Sequence, residues 1–526
     1  MRIAALIVLG GALLAMGGVL APTPALGQTV VSRAPEPGGD RLLDFSAHFR
    51  TRGELLSNLD LDRGPTPSGD PIFPVPLGDP DAQTLTYADF RLRTDLDFHV
   101  PSSTASLHLR LDVLDNFEAG SLPDAAPADA RGTEPIVGVS IIRAWAQVIT
   151  PFGVLAAGRI GSQFGLGIVA NAGDCDACNV GDAADRVVYL TPLLGHLLTL
   201  SYDFSATGPS VERSDRARFL DIDPSDDVRT FNVSILRLRD ERARRRRRAA
   251  GKTTLEYGGV FSYRTQENDA PTEVLDAADG GPLRSTQLIA RGYEAFATSL
   301  WFRVAGPWGR IEAEGAFVRA SFDEASLIPG VLLRDEITST QRGAALEAEI
   351  DLFEDWLQVG FDAGVASGDE APGFGANVPI GAGVGQPGDL EGAQIDPPFD
   401  TSLDNFRFHP SYFVDQILFR EIIGRVTDAV YIKPRVQLIL PLHDRGRLEL
   451  SLAVNASWAL EASSTPGGAS ALGVEVDPSI SYENSEGWAI QIDYGVLFPM
   501  AGFDNPTLGL GATTAQVLRA RGILRL

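Results

Sequence analysis

Cysteine is almost missing: Cys175 and Cys178 are the two in 526 residues, which excludes a disulfide scaffold. Basic residues are the scarcer charge, with 44 Lys+Arg against 69 Asp+Glu and a formal net charge of −25. A nucleic-acid binder needs a basic face to neutralise phosphates, so that class is excluded. Gly and Pro, 55 and 34 residues, are too few for collagen or a low-complexity chain. Long apolar runs are also lacking. Beyond Leu20 no stretch approaches the length and apolarity of a membrane-spanning helix. Yet the hydrophobic share, 44%, is too high for a disordered acidic protein.

What is present starts with a leader. Met1-Arg2 is a basic start, Ile3 to Leu20 an uncharged apolar core, and Ala25-Leu26-Gly27 a small-x-small cleavage signal after Pro22 and Pro24. Residues 1–27 read as a cleaved signal peptide, and the lack of a Cys at the cleavage point argues against a lipoprotein. The exported chain, 28–526, then carries 43 Lys+Arg and a net charge of −26.

The period along that chain is two. In 43–55, Leu43, Phe45, Ala47, Phe49, Thr51 and Leu55 alternate with Asp44, Ser46, His48, Arg50, Arg52 and Glu54. Segment 88–100 repeats the pattern. Such segments are longer than the strands of soluble sandwiches and are charged on every second residue. A barrel crossing a membrane needs strands of about 9–11 residues, apolar outside and polar inside. Similar segments fall near 104–114, 137–149, 153–163, 185–191, 196–206, 228–239, 253–266, 291–304, 309–322, 340–352, 356–367, 429–440, 447–460, 472–483, 487–498 and 512–526. Their connections alternate between long polar stretches and tight turns such as Thr150-Pro-Phe-Gly153 and Gly306-Pro-Trp-Gly309. Phe152, Trp308, Trp356 and Trp488 crowd the turns as an interfacial girdle would. The expected fold is all-β: a transmembrane antiparallel β-barrel of about eighteen strands over 43–526, with long extracellular loops and short periplasmic turns. Residues 28–42 form a periplasmic segment. The chain ends in Leu526, without the aromatic last residue usual in such barrels.

The segments Gly158-Arg-Ile-Gly-Ser-Gln-Phe-Gly-Leu-Gly-Ile168, Asn171-Ala-Gly-Asp-Cys-Asp-Ala-Cys178, Asp185-Arg-Val187, Phe406 to Gly424, Tyr431-Ile-Lys-Pro434 and Gly473-Val-Glu-Val-Asp477 resemble an uncharacterised family of outer-membrane barrels from myxobacteria and related deltaproteobacteria. The resemblance implies a fold and a Gram-negative outer membrane, and no activity. In layout the chain also looks like the alginate-export porins, eighteen-stranded with Arg-rich pores, and export of a polymer would follow only by analogy.

Several constellations invite chemistry. Cys175 and Cys178 lie in the third long loop and read as a disulfide pinching its tip on the outer side. Asp174, Asp176, Asp182 and Asp185 supply the hard oxygens calcium prefers but lack EF-hand spacing, so they read as solvated and no cofactor is expected. The run Arg242 to Arg248 lies in the one long periplasmic turn, 240–252. It would attract anionic headgroups or polymer, or be a solvated, flexible turn, which is the simpler reading. Residues 411–426, inside the long loop 368–428, fit a helical stripe as well as an extra strand, with the helix preferred. Ser46 and His48 share a strand face, which is too little for a membrane-embedded hydrolase; no enzyme and no metal site is expected.

Inward positions form two contrasting walls. Arg50, Arg52, Arg91, Arg93, Arg110, Arg519, Arg521 and Arg525 crowd the strands around the closure. Glu312, Glu314, Glu347, Glu349, Asp351 and Asp362 face them from across the barrel. The expectation is a pore with a transverse field that orients polar solutes. The alternative is local pairing of the charges across strands. The expected function is a passive outer-membrane channel for polar solutes, including oligosaccharide or polysaccharide. A non-conducting structural or adhesive barrel is the alternative. Its partners would be outer-membrane lipid and lipopolysaccharide, the barrel-assembly machinery and the solute or glycan, and no nucleic acid.

Overall fold

The computed structural model describes residues 42–76, 83–100, 103–119, 138–204, 210–212, 218–220, 227–269, 286, 288–326, 328, 330–333, 335–353, 355–378, 383–442 and 445–526; the side chains of 115–118, 210–212 and 218–220 are not described. The expected signal peptide and nearly all of segment 28–42 lie outside the described residues.

The chain is built of strands. In order they are β1 (Leu43–Ser57), β2 (Thr84–His99), β3 (Ala105–Glu118), β4 (Val139–Thr150), β5 (Gly153–Gly161), β6 (Ala183–Leu193), β7 (His196–Phe204), β8 (Ser210–Glu212), β9 (Arg218–Leu220) and β10 (Arg229–Arg237). There follow β11 (Thr254–Asp269), β12 (Ile289–Gly306), β13 (Gly309–Phe322), β14 (Ile337–Leu352), β15 (Leu357–Ala366), β16 (Ala429–Pro441), β17 (Arg447–Ala459), β18 (Ala471–Glu483), β19 (Trp488–Pro499) and β20 (Ala515–Arg525). β8 and β9 form a separate small hairpin; the other strands make one 18-stranded sheet. Each pairs antiparallel with its sequence neighbour, β7 pairs with β10, and β20 returns to β1, so the sheet is closed. Closure removes every free edge, which is the way a sheet satisfies its backbone in lipid.

The alternation sets which side each residue faces. Arg50, Arg52 and Glu54 of β1 point inward and are nearly fully buried, while Phe45 and Leu55 of the same strand face outward at 57% and 39% exposure. Ile141, Phe231, Leu300, Phe361 and Ile492 continue the outward apolar belt on other strands. A soluble protein does not expose so large an apolar surface, and the barrel crosses a membrane. Phe152, Trp308 and Trp356 are exposed at the turn end, where the girdle was expected, and Trp488 is half-buried. Leu526 still pairs: its N–H donates to the Ala47 carbonyl at 2.8 Å and its carbonyl accepts from Ala47 at 3.0 Å. The closing seam is sealed inside by Arg519, which stands opposite Glu54 in register and donates to it at 2.8 Å.

Two expectations change. Segment 411–426 is neither helix nor strand over its length; only Leu418–Ile422 makes a single π-type turn. Glycine at 424 and the inward hydrogen bonds of Asp415 fold the rest back on itself. The run of arginines is not a flexible turn either. It forms helix α1 (Glu241–Ala249), N-capped by the Asp240 side chain accepting from the Ala243 N–H, with Glu241 pairing Arg244 and Arg245 within it.

Candidate functional site

The interior is the candidate site, and loops occupy much of it. The connection after β5, residues 162–182, does not stand outside the barrel. It turns inward onto the arginine-bearing strands. Cys175 and Cys178 are disulfide-bonded, as expected, with Cα atoms 5.1 Å apart. The tip they close sits in the lumen and not on the outer side. Arg50 donates to the carbonyls of Asp176 and Cys178, Arg91 to Cys178, Arg93 to Gly173 at 2.8 Å, and Arg143 to Ala172. Asp174 accepts from Arg110 and Arg143. Asp176 accepts from Arg525 at 2.6 Å and hydrogen-bonds His48 at 2.8 Å. Burial alone would raise the carboxyls of Asp174 and Asp176. The Arg110 and Arg143 guanidiniums hold Asp174 down at about 2, and His48 with Arg525 does the same for Asp176. Both aspartates are thus held by the basic wall. Asp185 pairs with Arg159 on the outer face, and Asp182 accepts from the Asn171 N–H. Among the described residues no group of three or more His, Cys, Asp or Glu is placed to hold a metal.

The arginine wall is therefore not a row of free cations. Besides the loop contacts, Arg50 and Arg52 share Asp89, Arg93 takes Asp112 in a fork, Arg110 takes Asp95 likewise, and Arg521 takes Asp493. Arg519 bridges Glu54 and Glu421, and Arg525 also reaches Glu483.

The opposite wall is paired too. Arg310, next door on β13, donates to Glu312 and Glu347. Arg435 on β16 donates to Glu349 and lies 3.3 Å from Asp362. Arg248 of α1 reaches Asp351, and Arg244 reaches the buried Glu256, so the helix packs over the lumen's turn end. Glu314 has a different use: it accepts from the N–H groups of Gly167 and Ile168, holding the root of the first inward loop. The transverse field expected from the sequence is corrected: cross-strand cations neutralise each wall locally. Strand β14 carries no basic residue among its inward acids, but its neighbours supply them.

The second inward loop is the long one, 367–428. Glu475 of β18, wholly buried, accepts from the N–H groups of Gln416, Ile417 and Leu418. Asp415 turns back to accept from Phe419, Arg420 and Asn455. Ile417, Leu418, Phe419 and Ile422 then bury an apolar side against Tyr431, Leu497 and Val517 of the wall. Burial pushes the Asp415 carboxyl well up, with Glu475 nearby adding to it, and lowers Arg420 to about 9. The wall makes room by glycine. A Cβ at Gly343 would stand 2.2 Å from the Phe406 ring, and one at Gly495 would stand 2.8 Å from Gln416. The two loops meet: His409 N–H donates to the Ile168 carbonyl at 2.8 Å, and Ser411 to Val180 at 2.7 Å.

One grouping was missed from the sequence. Ser106 Oγ is 2.8 Å from His108 Nε2, and His108 Nδ1 is 2.6 Å from Asp97 Oδ1. The spacing is that of a nucleophile, base and acid. However, His108 is fully buried and stacks on Trp145 at 4.6 Å, and Ser106 is 3% exposed. It reads as a sealed polar network bracing β2, β3 and β4. Only the cross-strand register, Asp97 opposite His108, could have revealed it.

No protein-family model matches the sequence, and no curated protein matches it. Among solved structures the chain is similar to OccK11 (OpdR) of Pseudomonas aeruginosa, at 12% identity and a TM-score of 0.45, over 92% of this chain and 96% of that one. It is similar to OccAB2 of Acinetobacter baumannii at 10% identity and a TM-score of 0.46, over 92% and 98%. A BenF-like porin from Pseudomonas fluorescens aligns at 7% identity and a TM-score of 0.45, over 92% and 98%.

Proposed function

We propose that the protein is an outer-membrane channel that passes polar solutes by diffusion, its long connections outside the cell and its tight turns facing the periplasm. The observation that carries this reading is a wet interior at the turn end, beside and below the tip of the first inward loop. Arg525 and Glu483 keep 26% and 25% of their side-chain surface exposed although both point into the barrel. Arg447, Glu449, Arg435 and Glu349 are comparably open. Eighteen strands enclose more space than wall side chains can fill, and here two loops narrow it. The passage is lined by charges already matched and by amides such as Gln358 and Gln437. Such a lining exchanges hydrogen bonds with hydroxyls and holds no strong site for an ion. Neutral oligosaccharide is the solute class this favours. Insertion would fall to the barrel-assembly machinery.

Planar-bilayer recording tests the reading. The expected result is discrete steps of small conductance, with proteoliposomes swelling in neutral sugars. A folded, heat-modifiable protein with no steps would favour the second reading, a non-conducting scaffold. The meeting of the loops through His409 and Ser411 speaks for that alternative.

A further inference from the structure

The outward face of β13 and β14 breaks the apolar belt with two arginines. Along β13 the outward residues are Ile311, Ala313, Gly315, Phe317 and Arg319; along β14 they are Ile350, Ala348, Leu346, Ala344 and Arg342. The register sets Phe317 opposite Arg342 and Arg319 opposite Thr340. Arg319 and Arg342 are thus diagonal neighbours on one face, with Cβ atoms about 7 Å apart. Both side chains are exposed. Neither guanidinium has a hydrogen-bond or ion-pair partner among the described residues. The contrast is with Arg159, which also faces outward and is paired with Asp185.

Their height is set by the strands. Arg319 is ten residues along β13 from Gly309, and Arg342 is ten residues along β14 from Leu352 at the turn end. A strand crosses the hydrocarbon in about 9–11 residues. Trp308 marks the interface at the turn end, so both arginines lie at headgroup level in the far leaflet. Below them Gly315 faces Ala344, and open space stands where a Cβ on Gly315 would be, so the surface dips between Leu300 and Val365 on the flanking strands. Beside Arg319 in register stands Phe296, packed on Tyr263 at 4.6 Å. Two acids stand close by and both are engaged: Glu294 accepts from the Tyr263 hydroxyl at 3.3 Å, and Asp404 accepts from the N–H of Thr340, opposite Arg319, at 2.6 Å.

We propose that Arg319 and Arg342 bind the phosphate of an outer-leaflet glycolipid, with an acyl chain in the trough below and its sugar beside Phe296. Two guanidiniums at headgroup level, with the acids nearby already occupied, complement a phosphate, and the trough is closed to a charged solute by the lipid around it. The proposal rests on the reading that the long connections face the outer leaflet.

The purified protein in detergent should be titrated with diphosphorylated lipid A, dephosphorylated lipid A and inorganic phosphate, followed by native mass spectrometry. The expected result is retention of the diphosphorylated lipid only. Loss is about fivefold per arginine removed, so about twenty-five-fold in R319Q/R342Q, and it grows with ionic strength. Conductance of the double variant should be unchanged, since neither side chain enters the lumen. Equal retention of phosphorylated and dephosphorylated lipid, or equal retention by wild type and double variant with β-type circular dichroism intact, would overturn the site. Retention of free phosphate alone would leave an anion site without a lipid and overturn it too. Failure of the channel reading would show as absent conductance with lipid retention intact, so the two failures are separable.

Discussion

Arg519 and Arg159 carry the same charge and contribute on different scales. Arg519 is wholly buried between Glu54 and Glu421, while Arg159 and Asp185 are 53% and 51% exposed. Removing one member of a buried pair strands the other charges away from water, at about 3–5 kcal/mol. An exposed pair is worth about 1 kcal/mol or less. Arg519→Gln should therefore lower the temperature at which the barrel unfolds on gels in detergent, whereas Arg159→Gln should leave it almost in place. Equal shifts would mean that water reaches the seam between β1 and β20. At this scale the sequence could name the inward arginines but not their partners. Parity along a strand tells which side a residue faces. Whether a carboxylate meets it depends on register with the next strand, and on loops that arrive from more than a hundred residues away, as the Asp176 carboxylate does at Arg525.

Strands and loops differ in how much of them could be read. The strands were legible because lipid outside and water inside force a period of two on nearly every one, including the seven-residue stretch 185–191, which lies within the longer β6 (Ala183–Leu193). The inward folding of 162–182 and 367–428 was not, since a polar, Gly-rich stretch looks the same inside a lumen as above it. The signal that existed lay in the walls, where inward Gly343 and Gly495 leave room for Phe406 and Gln416. The two loops should part company with pH. Asp174 and Asp176 are held at about 2, below their ordinary 3.8. Their contribution to docking is complete above pH 4 and is lost as pH falls through 2. Glu391 and Asp428, in the other loop, are pushed up to about 7 by burial. There the neutral acid is the favoured form, so stability is complete below pH 4 and is lost as pH rises through 7. Hydrogen-exchange protection should fall at 172–178 between pH 5 and 2.5, and at 383–393 between pH 5 and 8. Protection falling together in both segments would refute separate docking.

Across the whole molecule the charge is segregated by position along the barrel. The long connections, 58–83, 119–138, 162–182, 205–228, 270–288, 323–336, 367–428, 460–470 and 500–514, hold 36 acidic and 10 basic residues, a difference of 26. That equals the entire net charge of 28–526, so strands and tight turns together are neutral. Within the walls this neutrality appears as local pairs, Arg435 with Glu349 and Arg310 with Glu347 among them. Without the two inward loops, 162–182 and 367–428, the other long connections still hold 23 acidic against 7 basic residues, so a channel built this way discriminates ions at its long-loop mouth and not along its bore. A mouth field acts through solvent and is screened within about 10 Å at 0.1 M salt and about 3 Å at 1 M. Reversal potentials should show a cation preference at 0.1 M that fades towards none at 1 M. Glu347→Gln, which leaves the mouth untouched, should change that ratio little while freeing part of the Arg310 side chain. A preference that persists at 1 M, or that collapses in Glu347→Gln, would place the filter back inside the barrel and restore a field across the lumen.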